Sequence, residues 1–258
     1  MYTFSKIFLL KGLLSLLFTF KTTMYAQPRT TDYLRVGAEL SFFSYTQFFY
    51  HQVNTKPNFT PPNSFDSFLR EKIHWGNSKN ELAAEISDVL LYGVILGSIP
   101  LSSVYLKDQD FLLVNLEILS INGIITNIVK YAAQRRRPYS FYSKKNDDDS
   151  YKSFFSGHTS TSFAIGTSTA KMLAKYSDTN ERIVWLSALG LASATGYLRI
   201  AADKHYFSDV FAGAIVGTIV GNTMFHKLTK RYQKKSVHKK YSSKFYFSFN
   251  RVGVSIPL

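Results

Sequence analysis

Two long apolar segments joined by four polar residues constrain this chain more than any other feature. ISDVLLYGVILGSIPLSSVYL (Ile86 to Leu106) and FLLVNLEILSINGIITNIV (Phe111 to Val129) flank KDQD (Lys107 to Asp110). Each is close to the length of helix that crosses a bilayer. So short a link makes them antiparallel neighbours. Asn115, Glu117, Asn122 and Asn127 make the second segment too polar to face lipid, so the sequence predicts that they turn toward a bundle interior. Three more helices follow: one from the turn FSGH to about Tyr176, one over Arg182 to Leu198 and one over Asp209 to Phe225. Small residues spaced through the last two allow close helix approach.

The expected fold is all-α: a bundle of about five to six helices, membrane-embedded, with a short strand-like tail. The third helix is weakly apolar and the mean hydropathy of the chain is slightly negative. A soluble periplasmic bundle therefore stands as the alternative. In the tail, Phe245, Phe247 and Phe249 and then Val252, Val254 and Ile256 alternate as strand residues do. Four regions result: a leader over 1–26, a helical and aromatic region over 27–85, the bundle over 86–226 and a basic tail with a strand-like end over 227–258.

Leader and charge bear on the compartment. Lys6 and Lys11 precede a short apolar run, Gly12 to Phe20, and Ala26 suits the residue before a cleavage site. The expectation is a cleaved export signal, with an uncleaved anchor as the alternative. The formal charge is +14, and Lys227, Lys230, Arg231, Lys234, Lys235, Lys239, Lys240 and Lys244 all follow the last apolar segment. Cations so placed suit the cytoplasmic side of a membrane, although a solvated tail reads the same way. No nucleic-acid motif accompanies them. The absence of cysteine excludes disulfides, thiolate nucleophiles and cysteine metal sites. Asp147, Asp148 and Asp149 form the one acidic run, which reads as a solvated loop before it reads as a metal site.

The chemistry-bearing residues fall in three clusters: KYAAQRRRP (Lys130 to Pro138), FSGH (Phe155 to His158) and RIAADKHYFSD (Arg199 to Asp209). His205 and Asp209, four apart, share one face of a helix that begins near His205. A carboxylate there can accept from one ring nitrogen and leave the other free to attack, or can simply cap the helix. Arg199, Arg137 and Lys130 stand at the ends of apolar helices. Cations with forked donors suit the equatorial oxygens of a phosphoryl transition state, and a membrane-flanking basic run is the plainer alternative. Ser156 can cap the third helix, Gly157 lets backbone N–H groups approach an anion, and His158 beside them suits a general acid.

Together these clusters resemble the signature of the type 2 phosphatidic acid phosphatase superfamily, which includes bacterial class A acid phosphatases and vanadium haloperoxidases. Lys130 and Arg137-Pro138 fit that pattern, as do Ser156-Gly157-His158 and Arg199, His205 and Asp209. Phe155 stands where the family has proline and Leu198 where it has serine. The resemblance covers roughly residues 85–226. It implies that His205 attacks phosphorus, Asp209 orients it and His158 protonates the leaving group. Lys130, Arg137, Arg199, Ser156 and the Gly157 backbone would hold the oxygens, and no metal or other cofactor would be needed. The implied activity is hydrolysis of phosphate monoesters or diphosphates, of lipids if the bundle is membrane-embedded with its site facing the periplasm, and of small phosphoesters if it is soluble. The same resemblance also admits a vanadate-dependent haloperoxidase or a catalytically silent member.

Overall fold

The computed structural model describes residues 30–49, 61–106, 109–144, 147–240, 244–248 and 251–255. The expected leader lies outside them. Six long helices build the bundle: α1 (Thr30–Phe49), α3 (Asn80–Tyr105), α4 (Gln109–Ala133), α6 (Gly157–Tyr176), α7 (Glu181–Ala201) and α8 (Phe207–Lys240). Two short helices, α2 (Ser64–Ile73) and α5 (Pro138–Ser143), lie at one end. Four described helices are long and apolar enough to cross a membrane: Asn80–Pro100, Asp110–Ala133, Glu181–Ala201 and Phe207–Arg231.

The polarity of α6 follows from its position. It packs against α3, α4, α7 and α8, so protein rather than lipid surrounds it. Ser160, Ser162, Thr167 and Ser168 are all buried. The asparagines predicted to face inward meet it there: Ser160 Oγ donates to Asn122 Oδ1 (2.8 Å) and Ser168 Oγ to Asn115 Oδ1 (2.5 Å). A central helix held by hydrogen bonds need not be apolar enough to sit in lipid.

Close approach of α8 to α6 depends on glycine. A Cβ on Gly217 would collide with the Ser160 carbonyl oxygen, and one on Gly221 with that of Ala164. Gly217→Ala is therefore expected to lower stability by about 1–3 kcal/mol through forced separation of the two helices. Gly190→Ala, where a Cβ meets nothing within 4 Å, is expected to leave the thermal-unfolding midpoint in detergent unchanged or slightly raised. Equal midpoints for the two variants would show that the α6–α8 contact gives way freely.

Two elements extend the sequence expectation. First, α1 is a full-length member of the bundle. Arg35 pairs with Glu117, while Thr46 and Gln47 hydrogen-bond Asn127 (2.7 and 2.9 Å). The contacts advance in the same order along both helices, so α1 runs parallel to α4. Its charged Asp32, Arg35 and Glu39 hide this role from hydropathy. Second, α8 continues through the basic segment to Lys240. Residues 227–240 contain neither glycine nor proline, and lysine is a good helix former. The tail pairs as an antiparallel hairpin, β1 (Lys244–Ser248) with β2 (Arg251–Ser255), Tyr246 opposite Gly253.

Candidate active site

All three clusters meet at one end of the bundle. Helix α4 ends with Lys130 in its last turn, α6 begins at Gly157, α7 ends with Arg199 and α8 begins at Phe207. Backbone hydrogen bonds tie the clusters together. Ser153 N–H donates to Arg135 O (3.0 Å), Arg137 N–H to Ser150 O (2.8 Å) and Ser156 N–H to Asp209 O (3.0 Å). The interval from Arg199 to His205 has a local cause. After α7 the chain turns through Asp203, at φ 57°, and the amides of Lys204 and His205 both return to the Arg199 carbonyl (3.1 and 3.2 Å). The arginine thus carries the histidine on its own backbone.

His205 is buried, and its Nδ1 lies 2.7 Å from the Ser153 carbonyl oxygen. A carbonyl only accepts, so Nδ1 bears the proton and Nε2 keeps its lone pair. Burial, with the charges of Arg137, Lys130 and Arg199, holds this imidazole well below its ordinary pKa, so it is neutral near pH 7. Asp209 stands 3.8 Å from Nδ1. The orienting hydrogen bond expected from Asp209 comes instead from the Ser153 backbone. Asp209 acts one step behind: its Oδ2 accepts from Ser153 Oγ (2.5 Å) and from Tyr206 N–H (2.9 Å). The second contact is a helix-capping bond at the start of α8. Capping and orienting roles for this residue are therefore combined in one carboxylate.

His158, in the first turn of α6, gives Nε2 to Asp88 Oδ1 (2.7 Å). Asp88, on α3, also takes Arg199 Nη1 (3.3 Å), which reaches Ser87 Oγ as well (3.0 Å). Asp88 thus aligns one histidine and one arginine at once, a role with no signal in the sequence beyond a charge inside an apolar segment. Ser156 caps α6 as expected, accepting from Thr159 N–H (3.5 Å) and Thr159 Oγ1 (2.9 Å). A Cβ on Gly157 would lie 3.6 Å from Lys130 Nζ, which places the ammonium over the bare backbone at the helix N-terminus. That corner supplies N–H donors and a cation to one anion.

Arg137 is buried, and its Nε has no hydrogen-bond partner among the described residues. A buried guanidinium N–H without a protein partner is a donor suited to an anion. Two further lysines sit at this end. Burial and the Arg137 and Arg199 charges lower Lys204 to about 8. Lys152 pairs with Asp149 (2.9 Å). Burial opposes ionisation of Asp149, but Arg137 and Lys152 pull its carboxyl far below the usual range. Asp147 accepts the Tyr139 hydroxyl (2.5 Å) and caps its own turn. No group of three or more His, Asp or Glu able to hold a metal occurs among the described residues.

The two departures from the family pattern are core residues. Phe155 is fully buried, and Leu198 packs with Ala83, Ala84, Ala201 and Ala202. Behind the site lies a buried ionic network that the sequence does not disclose. Arg135 donates to Asp209 Oδ1 (2.5 Å) and to Asp66 Oδ2 (2.8 Å), and Asp66 on α2 accepts Ser208 N–H (2.9 Å) and Ser208 Oγ (2.6 Å). Arg70, one turn further along α2, donates to the two carboxylate oxygens of Asp203 through Nε and Nη2 (2.5 and 2.7 Å).

One end of the bundle thus gathers a neutral buried imidazole, a second histidine held by a carboxylate, and converging cations at helix ends, groups whose chemistry suits phosphoryl transfer. Residues 111–233, a little under half of the chain, match the model of the PAP2 superfamily. Over 105 residues the chain is 35% identical to lipid A 1-phosphatase of Porphyromonas gingivalis, which covers 40% of this chain and 20% of that protein. Over 131 residues it is 32% identical to probable lipid phosphate phosphatase 4 of Arabidopsis thaliana, covering 40% of this chain and 42% of that one. The chain thus spans less than half the length of these two relatives. Among solved structures it is similar to a transmembrane PAP2 type phosphatidylglycerolphosphate phosphatase from Bacillus subtilis, with TM-score 0.53 and 20% identity, over 76% of this chain and 96% of that one. That likeness is one of fold, and the fold is a membrane bundle. Helices α1 to α3, and with them Asp66 and Asp88, precede the matched segment.

Proposed function

We propose that this protein hydrolyses phosphate monoesters or diphosphates of lipids through a phosphohistidine on His205. The observation that carries the reading is the neutral His205, fixed through Nδ1 with Nε2 free, under the charges of Arg137, Lys130 and Arg199. Nε2 attacks phosphorus as the bond to the leaving oxygen breaks. That oxygen takes its proton from His158 in the doubly protonated form, in which Nε2–H is held by the Asp88 carboxylate and Nδ1–H makes the transfer. Water then gives a proton back to His158 and attacks the phosphohistidine, which releases phosphate and restores His205. Lys130, Arg137, Arg199 and the amides around Gly157 neutralise the equatorial oxygens, so the scheme needs no metal. The names of both relatives, a lipid A phosphatase and a lipid phosphate phosphatase, support a lipid substrate.

Lys227, Lys230 and Arg231 lie in α8 far from its site end. By the positive-inside tendency that end faces the cytoplasm and the site faces outward. Helix α1 also begins at the far end, beside the start of α4.

The reading is tested with protein reconstituted in vesicles. Phosphate release is compared between phosphatidate, a polyprenyl diphosphate or a lipid A phosphate and the soluble p-nitrophenyl phosphate, with and without EDTA. A preference of about tenfold or more in kcat/KM for a lipid, unchanged by EDTA, is expected, since burial of even a short acyl segment supplies that much. Preference for the soluble ester, or loss of activity in EDTA, would overturn the lipid or the metal-free part respectively.

A further inference from the structure

Helix α2 presents two faces of opposite character. Asp66, Arg70 and Ile73 point inward, the first two into ion pairs with Arg135 and Asp203, the third onto the Ala201–Ala202 cluster. Phe65 and Phe68 point outward and are 56% and 53% exposed. Lys72 lies over the Phe68 ring at 5.9 Å. An exposed aromatic pair with a neighbouring lysine is unusual on a face that meets only water.

That face continues the apolar outer surface of α8. Phe65 packs edge-on against Phe207 (5.6 Å), and Phe207 stacks on Phe211 (5.9 Å). Phe211, Ile215 and Ile219 then run down α8 at four-residue intervals, 57%, 45% and 57% exposed, along a helix apolar enough to span the membrane. The aromatic ladder therefore climbs from the lipid-facing stripe of α8 onto α2. Phenylalanine with a snorkelling lysine is the chemistry of the boundary between headgroups and acyl chains.

We propose that α2 lies in the headgroup zone of the bilayer on the active-site side, with Phe65 and Phe68 inserted, and that it fixes the nucleophile loop relative to the lipid surface. One ten-residue helix holds the rings on one face and, on the other, two of the ion pairs that brace Asp209 and Asp203 on either side of His205. Contact with lipid thus steadies the loop that must meet a phosphate carried at the same depth. The proposal rests on the lipid-phosphate reading.

Two measurements separate the two ideas. The chain has no cysteine, so single cysteines can be spin-labelled directly. In vesicles, a nitroxide at Phe68→Cys is expected to collide more with oxygen than with a water-soluble nickel complex, and one at Glu71→Cys, on the exposed polar side of α2, the reverse. Greater nickel access at Phe68, or shielding of it from both reagents by another part of the chain, would overturn the docking. In kinetics, Phe65→Ser/Phe68→Ser is expected to lower kcat/KM on vesicle-borne lipid phosphate about tenfold and to leave hydrolysis of p-nitrophenyl phosphate within about twofold. An equal fall on both substrates, or no fall on either, would sink the coupling, whereas wild-type inactivity on all lipids with the label still in the bilayer would sink only the substrate reading.

Discussion

His205→Ala is expected to lower phosphate release by about 10⁴-fold or more while the unfolding midpoint stays close to that of the wild type. No other described group offers a buried, neutral lone pair beneath three cations, so water must attack directly once the imidazole is gone. His158→Ala should behave differently. In the proposed scheme it removes the proton donor and leaves the nucleophile, so a substrate with an acidic leaving group such as p-nitrophenol should still phosphorylate His205. Acid-labile, base-stable label from a ³²P substrate is then expected to accumulate on His158→Ala and to be absent from His205→Ala. Equal turnover by wild type and His205→Ala would eliminate the enzyme reading.

The low pKa of His205 also sets a pH dependence. The folded state prefers the neutral ring, whereas the unfolded chain takes up a proton near pH 6.5. Its contribution to stability is therefore complete above that pH and declines as the pH falls from there toward the folded value. His205→Gln should flatten the acid side of a plot of unfolding midpoint against pH. An unchanged slope would mean that the ring is charged in the fold.

Arg135→Ala carries the second large effect. Arg135 is the common partner of Asp66 and Asp209, both fully buried. Removal leaves two carboxylates near each other with no cation between them. A loss of about 3–5 kcal/mol is expected, with activity falling alongside because Asp209 and Ser153 together hold the carbonyl that fixes His205. Arg135→Lys should recover only part of either property. Its single ammonium cannot fork to two carboxylates and to Ser208 Oγ as the guanidinium does. Adding Asp66→Asn to Arg135→Ala should restore stability by removing one unpaired charge, but not activity. If Arg135→Ala unfolds at the wild-type temperature, the network is solvated and does not brace the nucleophile loop.

Much of the molecule can be read from local pattern. The apolar runs mark α4 and α7 to within a few residues and the apolar parts of α3 and α8, because burial of one helical face imposes a periodicity that neighbours in sequence share. The three clusters name the residues that meet at the site, because each belongs to a helix end and the antiparallel order brings those ends together. Helix α1 escapes this pattern, since Asp32, Arg35 and Glu39 interrupt it and the long-range partner of Arg35, Glu117, lies on another helix. The central α6 reads as weakly apolar for the opposite reason: it is wrapped in protein and needs hydroxyls for Asn115 and Asn122 rather than lipid-compatible side chains.

The sequence by itself therefore determined a helical bundle and the identity of the groups gathered at one end of it. Only the tertiary structure decided how those groups are held: Ser153 and not Asp209 fixes His205, Asp88 aligns His158 with Arg199, and Asp66 and Arg70 tie an outlying helix to the loop that carries His205. The reason is separation along the chain. The Asp66–Ser208 contact joins residues 142 apart, and the Asp88–His158 contact residues 70 apart. Hydrogen-bond geometry of that kind depends on where packing sets two backbones, which no local spacing of residues encodes.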